Sequence, residues 1–583
     1  MQAKEIFKNK YIQIIVLVAI AILIYSIAWR YEMYGCLDDG KYVLHNKNLG
    51  FSFQNIKLWL TQPCIGLFVP VTMFSFMFDY NLWGLDTLGY HLQNTFWFIV
   101  TIIAIYACLI KFKLKPWHAF VLTLIYTVHP QRVESVVWIT ERKDVLYGAF
   151  FFIALFFFLD RFEKDKFNFL TFFFYILALF SKPMAITLPA VLVMIEFFRK
   201  RQFAPMYYIK KIWPYALLVV AYLILISNLR TDFIKPPIDM KRMFSLVLFN
   251  IYWYTKNTFV PSFYSSMNVL YPKIVFSWQV IIQMLIFYIV LVGAGIVAYV
   301  KIKKETLLYS ILPLLVCYIA VLSPVLGGFQ FSFSDFADRY NYMPSVFMLF
   351  AAGCIVPLLI NQQTHRVITL FIVVYIMILT YSTISYIPAW ENSNSVFSKS
   401  CEQQPANIYS VLTLGLLETK AGKYQNAIFL SERLKNDYLN DAKKRPLMAQ
   451  AGYLYIKARI FFKNGQKKRA AKILFYLNKD KHLQKSICDL GEGKIFYMML
   501  ADCYLGCRMV DKAILCFEKI TKLKNVPEHN ILFYKGMIAF FQKDKQKALG
   551  YFEKAHQLAP DDKNIEYNLK RVKDSLKKQS TKK

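Results

Sequence analysis

The chain has 583 residues, 57% of them hydrophobic and 17% aromatic, with a formal net charge of +33. So apolar a composition at this length excludes an ordinary soluble protein. Apolar content joined to strong basicity suits a membrane protein with Lys/Arg-rich loops, in contact with the lipid bilayer, and speaks against a nucleic-acid partner. The ten cysteines follow no CxxC or Cys/His spacing, so neither a zinc site nor a disulfide-dense scaffold is indicated. Cys36 and Cys64 share the first long loop and form a candidate pair if that loop faces an oxidising compartment.

The chain divides near residue 390. Before it, apolar runs of about 17–22 residues recur, long enough to cross a bilayer as helices. They are placed at 11–29, 91–110, 117–130, 145–160, 167–181, 184–198, 212–228, 275–299, 306–325, 343–360 and 367–386. That predicts an all-α, polytopic membrane domain over 1–392 with about eleven crossings. The first run follows "MQAKEIFKNK". It is too long for a secretory signal and lacks a small-residue cleavage site, so it reads as a retained helix. Alternate loops, "KFKLKPWH", "DRFEKDK", "FRKRQF" to "YIKK" and "VKIKKE", are short and basic. The positive-inside rule places them in the cytoplasm with the N-terminus. The loops 30–90, 131–144, 182–183, 229–274 and 326–342 then face outward, and an odd number of crossings puts everything beyond 390 outside as well.

Just past the first run, "GCLDDGKYVLHN" sets Asp38 beside Asp39 at that outer face. Loop 30–90 continues with aromatic, moderately amphipathic pieces that suit short interfacial helices. Next, "HPQRVESVVWITERKD" gathers His129, Arg132, Glu134, Glu141, Arg142, Lys143 and Asp144, "SKPMAIT" brings Lys182, and the last outer loop brings Arg339. Any single one of these is accounted for by a charge snorkelling at a helix end. Grouped ionisable residues at membrane-helix ends are more often partnered or functional.

Group transfer from a lipid-linked phosphate donor needs such a set. A carboxylate, Asp38 or Asp39, removes the proton from an acceptor hydroxyl as it attacks. Arg142, Lys143, Lys182 and Arg339 are candidate partners for the donor phosphate, through charge-assisted hydrogen bonds that strengthen as negative charge grows there. A single displacement at the anomeric carbon inverts configuration and requires no His or Cys nucleophile. No cofactor is required by this chemistry. A divalent cation on the Asp pair is a second reading, although two acids make an incomplete shell.

Beyond 400 the chain is Lys-rich, helical in pattern and almost free of Pro and Gly. Four segments pair small residues twelve apart: Gly415 with Ala427, Ala458 with Ala470, Ala501 with Ala513, and Gly536 with Ala548. The last continues with Phe552, Ala555 and Pro560. These match the small, small, Phe, Ala and Pro positions of a tetratricopeptide repeat. Spacing is near 43 for the first units and 35 for the last, so the early units are lengthened or degenerate. The region 393–583 is therefore expected to be an α-solenoid, whose curved surface binds a protein or peptide.

Taken in order, "LDDGKYVLHN", "PVTMFSFMFDYNLWGLDTLGYHLQN", "HPQRVESVVWITERKDVL", "SKPMAITLPAVLVMIEFF", "VLYP" at 269–272, "ADRYNYMP" and "WENSNSVF" resemble the transmembrane-and-tetratricopeptide-repeat O-mannosyltransferases and their bacterial relatives, members of the GT-C glycosyltransferase class. The resemblance runs along almost the whole chain. It implies a GT-C membrane fold, a polyprenyl-phosphate-linked hexose donor, mannose by the family's habit, and a Ser/Thr hydroxyl of a protein as acceptor. It carries the family's first-loop acidic motif onto Asp38 and Asp39 and favours Asp38 as the base. His91, Asp338 and Tyr340 fall inside the matching motifs and join His129, Glu134 and Glu141 as further site candidates. Two departures stand out. "QPCIGLFVPVT" replaces a Trp-Pro-like entry before "PVT", and only the last repeat is close to consensus.

Transfer of another sugar, transfer to a glycan or lipid acceptor, and a non-catalytic membrane scaffold displaying the repeats are the competing readings. A transporter is disfavoured by the scarcity of acids at mid-membrane positions. The compact array and the lack of eukaryotic retention signals point to a bacterial inner membrane, with active site and repeats facing the periplasm.

Overall fold

The computed structural model describes residues 9–160, 167–202, 204–229, 240–261, 278–326, 336–359, 365–404, 407–438, 447–489, 492–523 and 526–580. "VLYP", half of loop 229–274 and residues 327–335 lie outside them. The chain folds as two compact units, Met1–Asn407 and Ile408–Lys583. Among the described residues both are built of helices and contain no strand.

In the first unit, local chemistry sets the helix starts. Asn9 caps the helix Lys10–Tyr25 by accepting from the Tyr11 amide, and Asp86 caps Thr87–Lys111 through the Leu88 amide. Both satisfy amides that a helix start leaves open. Proline opens Pro70–Trp83, Pro116–Thr127 and Pro205–Asn228, where its missing N–H removes no intrahelical bond. Gly84 ends the first of these with φ +59°, a left-handed conformation that residues with a Cβ rarely adopt.

Six helical stretches among the described residues are long and apolar enough to cross a membrane: Lys10–Ala28, Thr87–Lys111, Pro205–Asn228, Trp278–Val300, Lys304–Val325 and Arg366–Trp390. Phe169–Ser181 and Pro344–Ile355 are apolar but shorter. The expected count of about eleven crossings is not reached by this measure. Pro116–Thr127, at 12 residues, is only about 18 Å long at 1.5 Å per residue, against about 30 Å of hydrocarbon. Trp278–Lys301 exposes apolar side chains on every side, with Ile289 at 70% and Val300 at 75%, which suits lipid and not water.

The helix Arg142–Asp160 is the opposite case. It packs between Thr87–Lys111 and Phe169–Ser181 and buries Val145, Leu146, Ala149, Phe151 and Leu155. At Gly148 a Cβ would stand 2.6 Å from the Tyr342 ring, so only glycine admits that approach. The first long loop builds a core of its own. Tyr42, Trp59, Val69, Phe76 and Tyr90 cluster there with Ile139, over the short helix Phe53–Thr61 and the longer Pro70–Trp83. Cys64 is a buried free thiol in this core, so the candidate Cys36–Cys64 bridge is not formed. The helix Ser393–Gln403 also belongs to this unit, burying Val396 and Phe397.

The second unit stacks helix pairs: Ile408–Lys420 with Tyr424–Tyr438, Leu447–Lys463 with Lys467–Lys479, Gly493–Gly506 with Val510–Thr521, and Glu528–Phe541 with Lys545–Leu558. Lys563–Ser580 closes the stack. All eight small residues singled out in the sequence are buried. Each pair turns on a left-handed residue seven positions after its first small residue: Gly422, Gly465, Arg508 and Lys543. The longer spacing after the second pair is an inserted helix, Lys481–Asp489.

Candidate functional site

The sequence candidates come together through four short segments. The first is the turn at 38–39 before the π-helical Gly40–Leu44. The second is the run from His129 through the 3-10 turn Ile139–Glu141 into Arg142–Asp160. The third is Lys182, at the C-terminal end of Phe169–Ser181. The fourth is the 3-10 turn Asp338–Asn341.

The two neighbouring acids have different surroundings. Asp39 is fully buried. Its Oδ2 accepts from the Tyr34 amide at 3.0 Å, and its Oδ1 accepts from Trp138 Nε1 at 2.9 Å and the Thr140 amide at 3.1 Å. Burial pushes its carboxyl up to about 6, against the pull of the Tyr34 and Thr140 donors. Asp38 keeps 40% of its side chain exposed and meets Lys143 Nζ at 3.4 Å.

From Lys143 a chain of alternating charges runs inward. Glu141 lies 3.4 Å from Lys143, 3.6 Å from Lys182 and 3.5 Å from Arg339. Lys182 also pairs with Asp144, whose other oxygen accepts from Ser135 at 3.1 Å. Arg339 pairs with Glu134, which takes the Arg339 amide as well at 3.0 Å. The guanidinium stacks over Tyr340 at 4.8 Å and Trp138 at 5.4 Å. Burial alone would raise Glu141, but Lys143, Lys182 and Arg339 outweigh it and hold its carboxyl well below the usual carboxylate range. Burial dominates at Asp144 and at Glu134, which are both raised despite their cation partners.

The remaining candidates lie beside this chain. Arg142 is fully buried. It donates to Asp79 at 2.8 Å, to Ser75 at 2.6 Å, to the Tyr90 carbonyl at 2.8 Å and to Asn94, so its fork ties Pro70–Trp83 to Thr87–Lys111. His91 contacts the Tyr31 carbonyl at 3.2 Å. His129 contacts the Thr258 carbonyl at 3.2 Å and accepts from the Gln131 amide. Asp338 accepts from Gln131 at 3.1 Å, and burial raises its carboxyl well above the ordinary range. Among the described residues no group of three or more His, Cys, Asp or Glu side chains is placed to hold a metal ion. With both oxygens of Asp39 accepting N–H bonds, the Asp pair is poorly prepared as a cation ligand.

Sequence reasoning missed Asp79, the partner of Arg142, and the indole of Trp138 that holds Asp39. Asp79 carried a signal: it is the lone acid in the apolar stretch "PVTMFSFMFDYNLW", where an unpaired charge would be costly. Trp138 carried none.

The architecture is thus that of a helical chain with six candidate membrane spans among the described residues and a stack of helix pairs. The tetratricopeptide repeat family matches residues 496–526 and 529–562, so the third pair is recognisable as well as the fourth. The chain is also similar to the protein O-mannosyl-transferase TMTC3 of Mus musculus and of Homo sapiens, in each case 30% identical over 128 residues. That stretch is 20% of this chain and 14% of the relative, so the chain matches about a seventh of the length of those curated relatives.

Proposed function

We propose that this protein is an inverting membrane glycosyltransferase that moves a hexose, mannose by the present reading, from a polyprenyl-phosphate-linked donor to Ser/Thr hydroxyls of proteins at the extracytoplasmic face of a bacterial inner membrane. The observation that carries it is the half-exposed Asp38 carboxylate set against the nearly buried Lys143, Lys182 and Arg339. The O-mannosyl-transferase similarity and the apolar helices support it.

In this reading the acceptor oxygen attacks the anomeric carbon as its proton passes to Asp38. The bond from that carbon to the phosphate oxygen breaks, and polyprenyl phosphate leaves. Lys143, Lys182 and Arg339 stabilise the charge on the departing phosphate. Asp39 holds the turn that presents Asp38, and Arg142 braces the wall behind the cations. The repeats bind the protein acceptor.

Asp38→Asn keeps size and removes basicity. It is expected to insert and fold as wild type, with transfer to a Ser/Thr peptide reduced about 10²–10⁴-fold, the usual share of a general base. Asp39→Asn should be expressed less well instead. Near-normal turnover in Asp38→Asn would remove Asp38 from the mechanism. A wild-type protein inert with every polyprenyl-phosphate sugar would favour the scaffold reading.

A further inference from the structure

The cations of the site come from three separate segments, and one group touches them all. Glu141 stands 3.4 Å from Lys143, 3.6 Å from Lys182 and 3.5 Å from Arg339. Each cation has another acid of its own: Asp38 for Lys143, Asp144 for Lys182 and Glu134 for Arg339. Those three acids hold one cation apiece. Among the described residues Glu141 is the carboxylate within 4 Å of all three. Without it, three separate ion pairs would stand in a nearly dry place with no carboxylate shared between their cations, whose mutual repulsion is poorly screened there.

The distances matter too. Charge-assisted N–H···O bonds run to about 2.7–2.9 Å, and the contacts to Glu141 are all longer. An ammonium carries three N–H donors and a guanidinium five. The cations are therefore collected without being saturated, which leaves donors for an incoming anion.

We propose that Glu141 is the positioning residue that gathers Lys143, Lys182 and Arg339 into one receptor for the phosphate of the lipid-linked donor. This rests on the reading given under Proposed function. Glu141 does not touch the sugar or take a proton; it acts through the cations. Its short 3-10 turn, Ile139–Glu141, follows Trp138, which binds Asp39. The same peptide segment thus sets both the base-bearing turn and the phosphate receptor, which fixes one relative to the other.

The test is calorimetric titration of the full-length protein in detergent with a short-chain polyprenyl phosphate, and in parallel with the corresponding polyprenol, which has the same tail and no phosphate. Glu141→Gln is expected to bind the phosphate roughly tenfold to a hundredfold more weakly, because the poorly screened repulsion among the three cations then spreads them apart. Its polyprenol binding should match wild type. Glu141→Asp keeps the charge but withdraws it by one methylene, and should fall between the two. It also decides the matter if the Gln variant does not fold. Unchanged phosphate binding in the variants overturns the proposal. So does tighter binding, which would make Glu141 a competitor for the phosphate place. An equal loss for phosphate and alcohol also overturns it, by reducing Glu141 to general support. Failure of the wild-type protein to bind polyprenyl phosphate is a separate result and refutes the lipid-phosphate donor itself.

Discussion

At the scale of single residues, the site separates groups that hold the fold from groups with donor or acceptor capacity left over. Arg142 and Asp79 are both fully buried and bonded to each other at 2.8 Å. Removing one partner of such a pair strands the other, at about 3–5 kcal/mol. Asp79→Ala and Arg142→Gln should therefore both lower the thermal midpoint in detergent sharply. Residual Arg142→Gln enzyme should keep its donor KM, whereas Arg339→Gln should raise it. A raised donor KM in folded Arg142→Gln would return that arginine to the phosphate. Asp39 gives a pH signature. Its folded value of about 6 lies above the unfolded value of about 3.9, so the folded state binds this proton more tightly. Its contribution to stability is then fullest below the unfolded value and is lost as pH rises through about 6. Asn mimics the protonated form apart from an NH₂ that opposes one of the amide donors. The midpoint of Asp39→Asn should lie below wild type, and the gap should be wider at pH 5 than at pH 7.5. A gap that widens with rising pH would contradict this. The acid pair was legible in the sequence, but its division of labour was not. The donors to Asp39 from Trp138 and Thr140 come from about a hundred residues away, and no local pattern announces them.

At the scale of elements, the sequence spoke most clearly where structure is local. The small residues of the repeats are buried inside the stack, Gly536 against Phe552 of its own hairpin and Gly415 against Ile456 of the next pair, and their spacing of twelve was enough to find them. The inserted helix Lys481–Asp489 was visible only as extra length, because its partners lie on Leu447–Lys463 and its neighbours. In the membrane unit, apolar runs located helices well but not their status as crossings. Hydropathy does not distinguish a helix buried by protein, such as Arg142–Asp160, from one exposed like Trp278–Lys301. Close packing makes the repeats testable. At Gly536 a Cβ would meet the Phe552 ring at 2.8 Å. Gly536→Val relieves some helix-disfavouring glycine entropy, but overpacking typically costs about 1–3 kcal/mol. The net result should be faster proteolysis within 528–558 at an unchanged rate elsewhere. Equal protection there would mean the hairpin opens to accept the side chain.

At the scale of the whole molecule, the charge pattern that orients the loops predicts one outer side for Asp38 and for the repeats. In a background lacking native cysteines, Asn46→Cys and Ser580→Cys should both react with an impermeant thiol reagent applied from outside. Modification of either only after permeabilisation would reverse the topology. The bond from the Arg339 amide to Glu134 spans 205 residues of sequence. A ribosome adding about 5–20 residues each second makes Glu134 roughly 10–40 s before its partner exists. Through that interval Glu134 and Glu141 await one of their cations, and protonation or water must satisfy them in its place. The nascent first half therefore has to be tolerated by the insertion machinery as an unfinished electrostatic circuit, closed only when the segment bearing Arg339 arrives.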